Sequence, residues 1–394
     1  MHTTHTVYLA IVGLAFSLAA PDAVAEDAVA KDAEAVTEPA VKKIAAGVHS
    51  GDAFGPRIRP DGKWVAYGVR EEDKGTFVTK FYARSLVEDG LFRSVWPNQH
   101  PTFGDGEGTA SFTDLVGFEW ARDGEYNHNA MVAVHKTLGE EVLIETMAVR
   151  KGGPGLQNQP AIAPDGSRVV VTAETGLNSD IWVADTRDGS DWLQITFTER
   201  DNESKPAWHP KGSKVIYERR NPLGSDVWAF DFDSFEQVQM TREGTSNEVA
   251  PSYSPDGVAF GYVTDGNDAK GLQWDLVIQA GDGALPKVAI PNLRISEKSR
   301  GYAWGPFGKF VIGVQDDKEA GYPLVIAPSD GSKPPVKLSD TVDNMDPQVV
   351  AFGTSVRASW VAMDMEKPED RRFRTVVVGD FDITELQKMF ETTD

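Results

Sequence analysis

One short phrase occurs three times between residues 160 and 257: Pro160-Ala-Ile-Ala-Pro-Asp-Gly166, Pro206-Ala-Trp-His-Pro-Lys-Gly212 and Pro251-Ser-Tyr-Ser-Pro-Asp-Gly257. The residues before the three glycines are 165, 211 and 256, so the steps are 46 and 45 residues. A fixed period of this size is typical of repeat architectures. Because Pro presets φ, Asp caps its own turn and Gly tolerates a positive φ, each phrase predicts a short strand that ends in a tight turn.

The residues between one phrase and the next predict three more strands. In the first repeat these are Arg168–Thr172, Asp180–Asp185 and Trp192–Phe197, which are rich in β-branched and aromatic residues and are separated by polar turns. Four short antiparallel strands in about 45 residues is the size of one β-propeller blade. The sequence therefore predicts an all-β protein, a β-propeller of four-stranded antiparallel blades.

Weaker copies of the phrase extend the pattern in both directions. Counting them gives seven units, with turn positions at residues 61, 123, 165, 211, 256, 307 and 352. The second unit rests on Phe118–Gly124, and the long first step of 62 residues then predicts an insertion at Pro97–Asp114. Loops longer than about 15 residues are often functional or mobile. Seven blades are favoured, and six is the alternative because this long step can hide irregular structure.

These phrases resemble the WD40-like (PD40) repeat of TolB-type β-propellers. The resemblance covers roughly residues 41–380, and Trp182 and Trp208 occupy its matching aromatic positions. It implies a propeller that binds a protein in the bacterial envelope, since the family's propeller binds a peptidoglycan-associated lipoprotein. Only a linker and one strand precede the first repeat, so the family's N-terminal α/β domain is not expected and no partner-contact residue is carried over.

The segments outside the repeats have simpler interpretations. Residues 1–25 are typical of a secretory signal, with an apolar run and an Ala-x-Ala site at Ala23–Ala25. Residues 26–40 are a flexible acidic linker, and 41–380 form the propeller. Residues 381–394 are a C-terminal helix or tail, in which Asp382 or Thr384 can cap a helix with Leu386 on its apolar face. The strand at Val41–Ala46 is expected to complete the last blade, which removes its open edge. The alternative is that Leu386–Phe390 forms the fourth strand of that blade.

Polar residues precede the repeat phrases and point to one candidate site. The loops that enter the innermost strands lie on one face of a propeller, around the mouth of its central channel. The candidate binding residues in these loops are His49, Asp52, Asn158, Asp201, Glu203, Asn247, Glu248, Arg300, Asp343 and Asp346. This set predicts an electronegative mouth for a cation, a basic peptide segment or a polar ligand. The alternative is that the residues are solvated or cap the first strands.

The chemistry of the chain argues against an enzyme. It has no Gly-x-Ser-x-Gly, no phosphate loop and no His-Glu-x-x-His, and it contains no cysteine. His209 lies inside a repeat phrase, which favours a structural role. No cofactor is expected, although Ca²⁺ at the mouth is possible because it prefers oxygen ligands. The alternatives left open are a sugar lyase with a channel-bound divalent metal and a small-ligand-binding propeller.

The net charge of −21 disfavours nucleic acid, which requires a basic footprint. We expect no membrane span once the signal is cleaved, because the apolar run is too short. The resulting prediction is a monomeric periplasmic or secreted propeller that binds an envelope protein or a basic peptide segment.

Overall fold

The structure is a computed structural model. It describes residues 41–43, 51–58, 62–73, 76–87, 92–94, 100–102, 115–122, 129–135, 145–148, 156–165, 167–174, 176–185, 191–241, 246–266, 273–281, 285–295, 300–367, 369 and 372–390. The predicted signal, the acidic linker and His49 lie outside these residues, as does most of the predicted insertion.

Among the described residues, 28 strands and one helix are present. In chain order the strands are β1 Val41–Lys43, β2 Asp52–Ile58, β3 Trp64–Asp73, β4 Thr76–Ser85, β5 Phe92–Ser94, β6 His100–Thr102, β7 Leu115–Arg122, β8 Asn129–His135, β9 Glu145–Ala148, β10 Leu156–Ile162, β11 Arg168–Glu174, β12 Ser179–Asp185, β13 Leu193–Gln194, β14 Asn202–Trp208, β15 Lys214–Asn221, β16 Gly224–Asp231, β17 Glu236–Gln239, β18 Glu248–Tyr253, β19 Ala259–Thr264, β20 Asp275–Ala280, β21 Lys287–Ile290, β22 Tyr302–Trp304, β23 Phe310–Val314, β24 Leu324–Pro328, β25 Val336–Lys337, β26 Met345–Phe352, β27 Ser355–Met363 and β28 Arg374–Asp382. The helix α1 is Ile383–Phe390.

Within the described residues these strands form seven four-stranded antiparallel sheets. Sheets 1 to 6 each contain four consecutive strands, beginning with β2, β6, β10, β14, β18 and β22. Sheet 7 has the order β1-β28-β27-β26, so the N-terminal strand completes the C-terminal sheet, with Val41 opposite Gly379. Neighbouring sheets contact one another along the chain, and β2 contacts β26, β27 and β28. The sheets therefore close into a ring, which confirms the predicted all-β propeller fold.

The second sheet differs from the sequence prediction. Its first strand is β6, which lies inside the predicted insertion, while the phrase Phe118–Gly124 begins in the second strand, β7. The prediction was wrong here because the three-residue strand His100–Thr102 carries no copy of the repeat phrase. The rest of the predicted insertion, from residue 103 to 114, lies outside the described residues.

The first strands share a β-bulge that the repeat phrase did not predict. The pairing register shifts in β2, β10, β14, β18 and β26. At each of these five shifts, the residue directly before the proline of the phrase has a left-handed backbone. These residues are Gly55, Gln159, Lys205, Ala250 and Asp346. Sheet 6 has a left-handed glycine, Gly301, at the equivalent place. A bulge bends and twists its strand, so the inner edge of the ring has one recurrent kink.

Turns on the opposite face connect neighbouring sheets through a glycine carbonyl. Arg168 donates to the carbonyl of Gly212 in the next sheet at 2.7 Å. His209 repeats this contact, with Nε2 3.3 Å from the carbonyl of Gly257, and its Nδ1 accepts the Lys211 amide. Burial lowers the pKa of His209, so the ring is neutral at pH 7. His209 therefore has the structural position that its place in the repeat suggested.

Two of these turn glycines allow the cost of backbone strain to be compared with the added cost of a steric clash. Gly212 and Gly257 have φ of 70° and 72°. A Cβ at Gly257 would lie 2.5 Å from His209 Nε2, whereas at Gly212 the nearest atom, a Pro164 carbon, is 3.8 Å away. We expect Gly212→Ala to cost about 1 kcal/mol of unfolding free energy and Gly257→Ala about 2–3 kcal/mol. Urea unfolding measures both, and equal losses would show that His209 yields without cost.

The helix α1 packs against the side of the ring. Asp382 accepts the Thr384 and Glu385 amides at 2.8 and 3.2 Å, so it is the N-cap. Leu386 is buried in the core shared by sheets 6 and 7, and Phe390 packs against that core. At the other end, the Lys333 ammonium donates to the Phe390 carbonyl, which suits the negative end of the helix dipole.

Candidate functional site at the channel mouth

The antiparallel order of the strands determines which face of the ring carries the mouth of the central channel. Each first strand begins at the face where the preceding sheet ends, and the turns between second and third strands lie on that same face. The structure describes the side chains of eight of the ten predicted residues; for Asn158 it gives only the backbone, paired with Thr172, and His49 lies outside the described residues.

Two predicted carboxylates are buried between sheets. Glu203 and Glu248 occupy the same place in successive repeats, and neither side chain is exposed. Thr198 Oγ1 lies 3.1 Å from both oxygens of Glu203. Glu248 accepts from the hydroxyls of Ser246, Thr241 and Thr264. These two carboxylates therefore lie in the joints between sheets and are not presented to solvent at the mouth.

The half-buried carboxylates are paired with arginines that the sequence analysis did not select. Arg219 donates from Nε and a terminal nitrogen to Asp201, both at 2.7 Å. Asp343 accepts from Arg294 and Arg374, each at 2.8 Å. Arg374 also donates its backbone amide to Asp52 at 2.9 Å, so it brings the predicted residues Asp52 and Asp343 together.

Asn247 and Asp346 also make structural contacts. The backbone and side-chain nitrogens of Asn247 both donate to Asp265 at 2.7 Å. Asp346 accepts the Gly55 amide, the bulge amide of the next sheet, at 3.2 Å. Two other bulge amides donate similar bonds to side chains. The Lys205 amide donates to Gln159 at 2.8 Å, and the Ala250 amide donates to Glu218 at 3.1 Å. In sheets 1, 4 and 5 the bulge amide thus links the inner strand to the preceding sheet.

Arg300 spans the inner edge of the ring. It is buried and donates to the carbonyl of Pro251 in sheet 5 and to that of Pro206 in sheet 4, at 3.2 and 3.0 Å. Because Arg300 lies two residues before β22 of sheet 6, the guanidinium reaches across two sheets on the channel side. Arg300 therefore joins three sheets and is not a cation displayed at the mouth.

Exposed apolar side chains on the mouth face were missed by the sequence analysis. Leu177 and Leu223 lie at the tips of the second-to-third turns of sheets 3 and 4, and Phe197 lies in the connection between these sheets. Their exposed fractions are 103%, 76% and 72%. The Asn178 side chain donates to the Thr198 carbonyl, so the loops that carry Leu177 and Phe197 are joined. Solvent-facing loop tips carry no periodic signal, which is why pattern analysis did not find these residues.

The described part of the chain contains neither a metal-binding cluster nor a membrane-spanning helix. No group of three or more His, Cys, Asp or Glu side chains there is arranged to hold a metal ion. No helix there is long and apolar enough to cross a membrane.

Known structures resemble this fold at low sequence identity. Oligogalacturonate lyase from Vibrio parahaemolyticus is 13% identical with a TM-score of 0.58, covering 88% of this chain and 100% of that one. The propeller domain of the Trilobed protease from Pyrococcus furiosus is 12% identical with a TM-score of 0.55, covering 84% and 95%. TolB from Acinetobacter baumannii is 14% identical with a TM-score of 0.44, covering 82% and 78%. No protein-family model matches the sequence, and no curated protein matches it.

The ring of four-stranded sheets, together with the similarity to the lyase and to the protease propeller, defines the class as a β-propeller. The β-propeller fold that the repeat phrases predicted is confirmed. Identities this low carry the fold alone, because one propeller architecture supports many functions.

Proposed function

We propose that this chain is an exported, non-catalytic β-propeller that binds a protein partner in the bacterial envelope through its mouth face. The observation that carries the proposal is the exposure of Leu177, Phe197 and Leu223 on this face. Exposed apolar side chains that form one patch mark interaction surfaces, and the bond from Asn178 to the Thr198 carbonyl joins the loops that carry Leu177 and Phe197. Large apolar and aromatic side chains also contribute most of the binding energy in protein interfaces.

The charges of the mouth support a protein partner over a simple cation. Asp201 and Asp343 are already neutralised by arginines at 2.7–2.8 Å, and Glu203 and Glu248 are buried. A cation would therefore have to displace existing ion pairs. A protein can instead cover the apolar tips and leave these pairs in the rim, where they favour correct orientation of the partner.

The test compares apolar-to-polar changes on the two faces. Leu177→Ser with Leu223→Ser removes two apolar tips from the mouth face. The matched control is Val258→Ser with Phe307→Ser, which are 65% and 55% exposed in turns of the opposite face. Because burying each apolar side chain contributes about 1.5–3 kcal/mol, we expect the mouth variant to bind at least tenfold more weakly.

The measurement is crosslinked co-purification of each variant from envelope extract, with thermal melting to check that both remain folded. A protein recovered with the wild type and the control, and lost with the mouth variant, supports the proposal. The same protein recovered equally with both variants would place the interface elsewhere and overturn the proposed site.

A further inference from the structure

The joint between sheets 3 and 4 holds three carboxylates close to one arginine. Asp180 lies on β12, Asp201 in the connection before β14, and Glu203 on β14 itself. Arg219, on β15, is bound to Asp201 through two nitrogens at 2.7 Å and lies 3.4 Å from Glu203. Tyr217 of β15 is the other titratable group that faces Glu203, and burial together with the charge of Glu203 raises its pKa. The joint therefore has more negative than positive groups.

Thr198 is the central hydrogen-bonding group of this joint. Its hydroxyl lies 3.1 Å from both oxygens of Glu203 and 3.1 Å from the Asp201 carbonyl. Its amide lies 3.4 Å from an oxygen of Asp180. A hydroxyl has only one proton to donate, so it cannot donate to Glu203 and to the Asp201 carbonyl at the same time.

The protonation state of Glu203 selects between two hydrogen-bond patterns. When Glu203 carries a proton, it can donate to Thr198, and the Thr198 hydroxyl can then donate to the Asp201 carbonyl and close the turn. When Glu203 is ionised, it needs the Thr198 proton for itself, and the Asp201 carbonyl loses its donor. The ionised form is also a buried charge near Asp180, and such a charge is costly unless it is paired.

We propose that the joint formed by Thr198, Asp201 and Glu203 takes up one proton and thereby controls the order of the mouth loop that carries Phe197. This inference rests on the proposed function only where it extends to partner binding. The loops are coupled because Asn178 donates to the Thr198 carbonyl and Asn202 accepts the Ser179 amide at 3.1 Å. Opening at Thr198 therefore disturbs both the Phe197 connection and the Leu177 turn.

The pKa of Glu203 agrees with this geometry. Burial raises it from 4.5 to about 7, Asp180 and Asp201 also raise it, and Thr198 and Arg219 oppose the rise. Because the folded-state pKa lies above the unfolded value, folding is favoured most at low pH. The favourable contribution is lost as pH rises between 4.5 and about 7. The mouth loop is therefore closed in mildly acidic solution and loosened in alkaline solution.

Hydrogen exchange of the full chain tests the switch without any partner. After correction for the intrinsic chemical rate, we expect the amides of residues 198–203 to exchange about tenfold faster at pH 8 than at pH 6. In Glu203→Gln, which mimics the protonated form, this difference should disappear. Glu248→Gln is the matched control, since it makes the same change at the same repeat position in the next sheet, and it should keep the wild-type pH dependence.

A second variant tests the hydroxyl itself. Thr198→Val removes the group that both hydrogen-bond patterns use, so the amides of residues 198–203 should lose their protection at pH 6 and the difference between pH 6 and pH 8 should shrink. A wild-type transition that persists in Glu203→Gln, or no transition in the wild type, would overturn the switch.

Partner capture at pH 6 and pH 8 then tests the link to binding. Stronger capture at pH 6 that becomes independent of pH in Glu203→Gln supports the link, and capture that is equal at both pH values in the wild type overturns it. Capture at neither pH would refute the proposed function, and the exchange result would still decide whether the joint titrates.

Discussion

Replacing Arg357 by alanine should lower the free energy of unfolding by about 3 kcal/mol. Arg357 lies where sheet 7 meets sheet 1, and only 8% of its side chain is exposed. Nε and one terminal nitrogen bond the two oxygens of Asp380, both at 2.6 Å. The other terminal nitrogen donates to the carbonyl of Gly62, which is 295 positions away in the sequence. The guanidinium also stacks on Phe352 at 3.6 Å.

This large cost follows from the position of the residue. The two ends of the described ring meet at this junction, where the chain connects sheet 7 to sheet 1 only through β1, the three-residue strand Val41–Lys43 that pairs with β28. Besides β1, which completes sheet 7, side-chain contacts such as that of Arg357 hold the junction closed. Loss of the arginine also leaves Asp380 without its partner, although the partial exposure of Asp380 limits that penalty.

Arg168→Ala is the control, because Arg168 lies at a junction between two sheets that does not close the ring. Arg168 makes the same type of bond, to the Gly212 carbonyl at 2.7 Å, and its guanidinium lies against the rings of Trp208 and Phe232, 4.7 and 4.6 Å from their centroids. It joins sheets 3 and 4, whose connection does not depend on the three-residue strand β1, so its loss should cost about 1–2 kcal/mol. Urea unfolding followed by tryptophan fluorescence measures both variants. Equal losses would show that the closing junction has no special role.

The sequence predicted the architecture because the propeller repeats a short local pattern. The turn phrases and the alternating strands predicted sheets 3 to 5, and the strand at Val41 predicted the closure of the ring. The prediction was wrong at the second sheet because β6 is three residues long and carries no turn phrase. A strand this short is positioned by its neighbours and leaves almost no periodic signal of its own.

The candidate site was less predictable, because its geometry depends on the bulge. The register shift before Ala207 places Glu203 opposite Arg219, whereas an unbroken hairpin would place it opposite Arg220. The shift arises because Lys205 has φ of 50°, a conformation that its side chain does not favour. A residue count along the strands therefore identifies the mouth residues but gives the wrong cross-strand partners, and the role of the arginines stays hidden.

Arg300 gives the sharpest test between a binding role and a structural role for the predicted site. Arg300→Met keeps the length of the side chain but removes the donors to the carbonyls of Pro206 and Pro251. Bonds from charged donors contribute about 1.5–3 kcal/mol each, so we expect a loss of about 3 kcal/mol of unfolding free energy. The loop tips of Leu177, Phe197 and Leu223 are exposed whereas Arg300 is buried, so partner capture by the folded variant should remain close to that of the wild type.

The two roles predict opposite results in the same pair of experiments. If Arg300 is a structural link, urea unfolding shifts to lower denaturant concentration and capture persists at temperatures where the variant is folded. If it is a binding residue, capture is lost while the unfolding transition stays within about 0.5 kcal/mol of the wild type. Because the guanidinium bonds carbonyls of two other sheets on the channel side, the structural link is the result we expect. The inner edge of the ring would then act as a rigid support for binding by the loop tips.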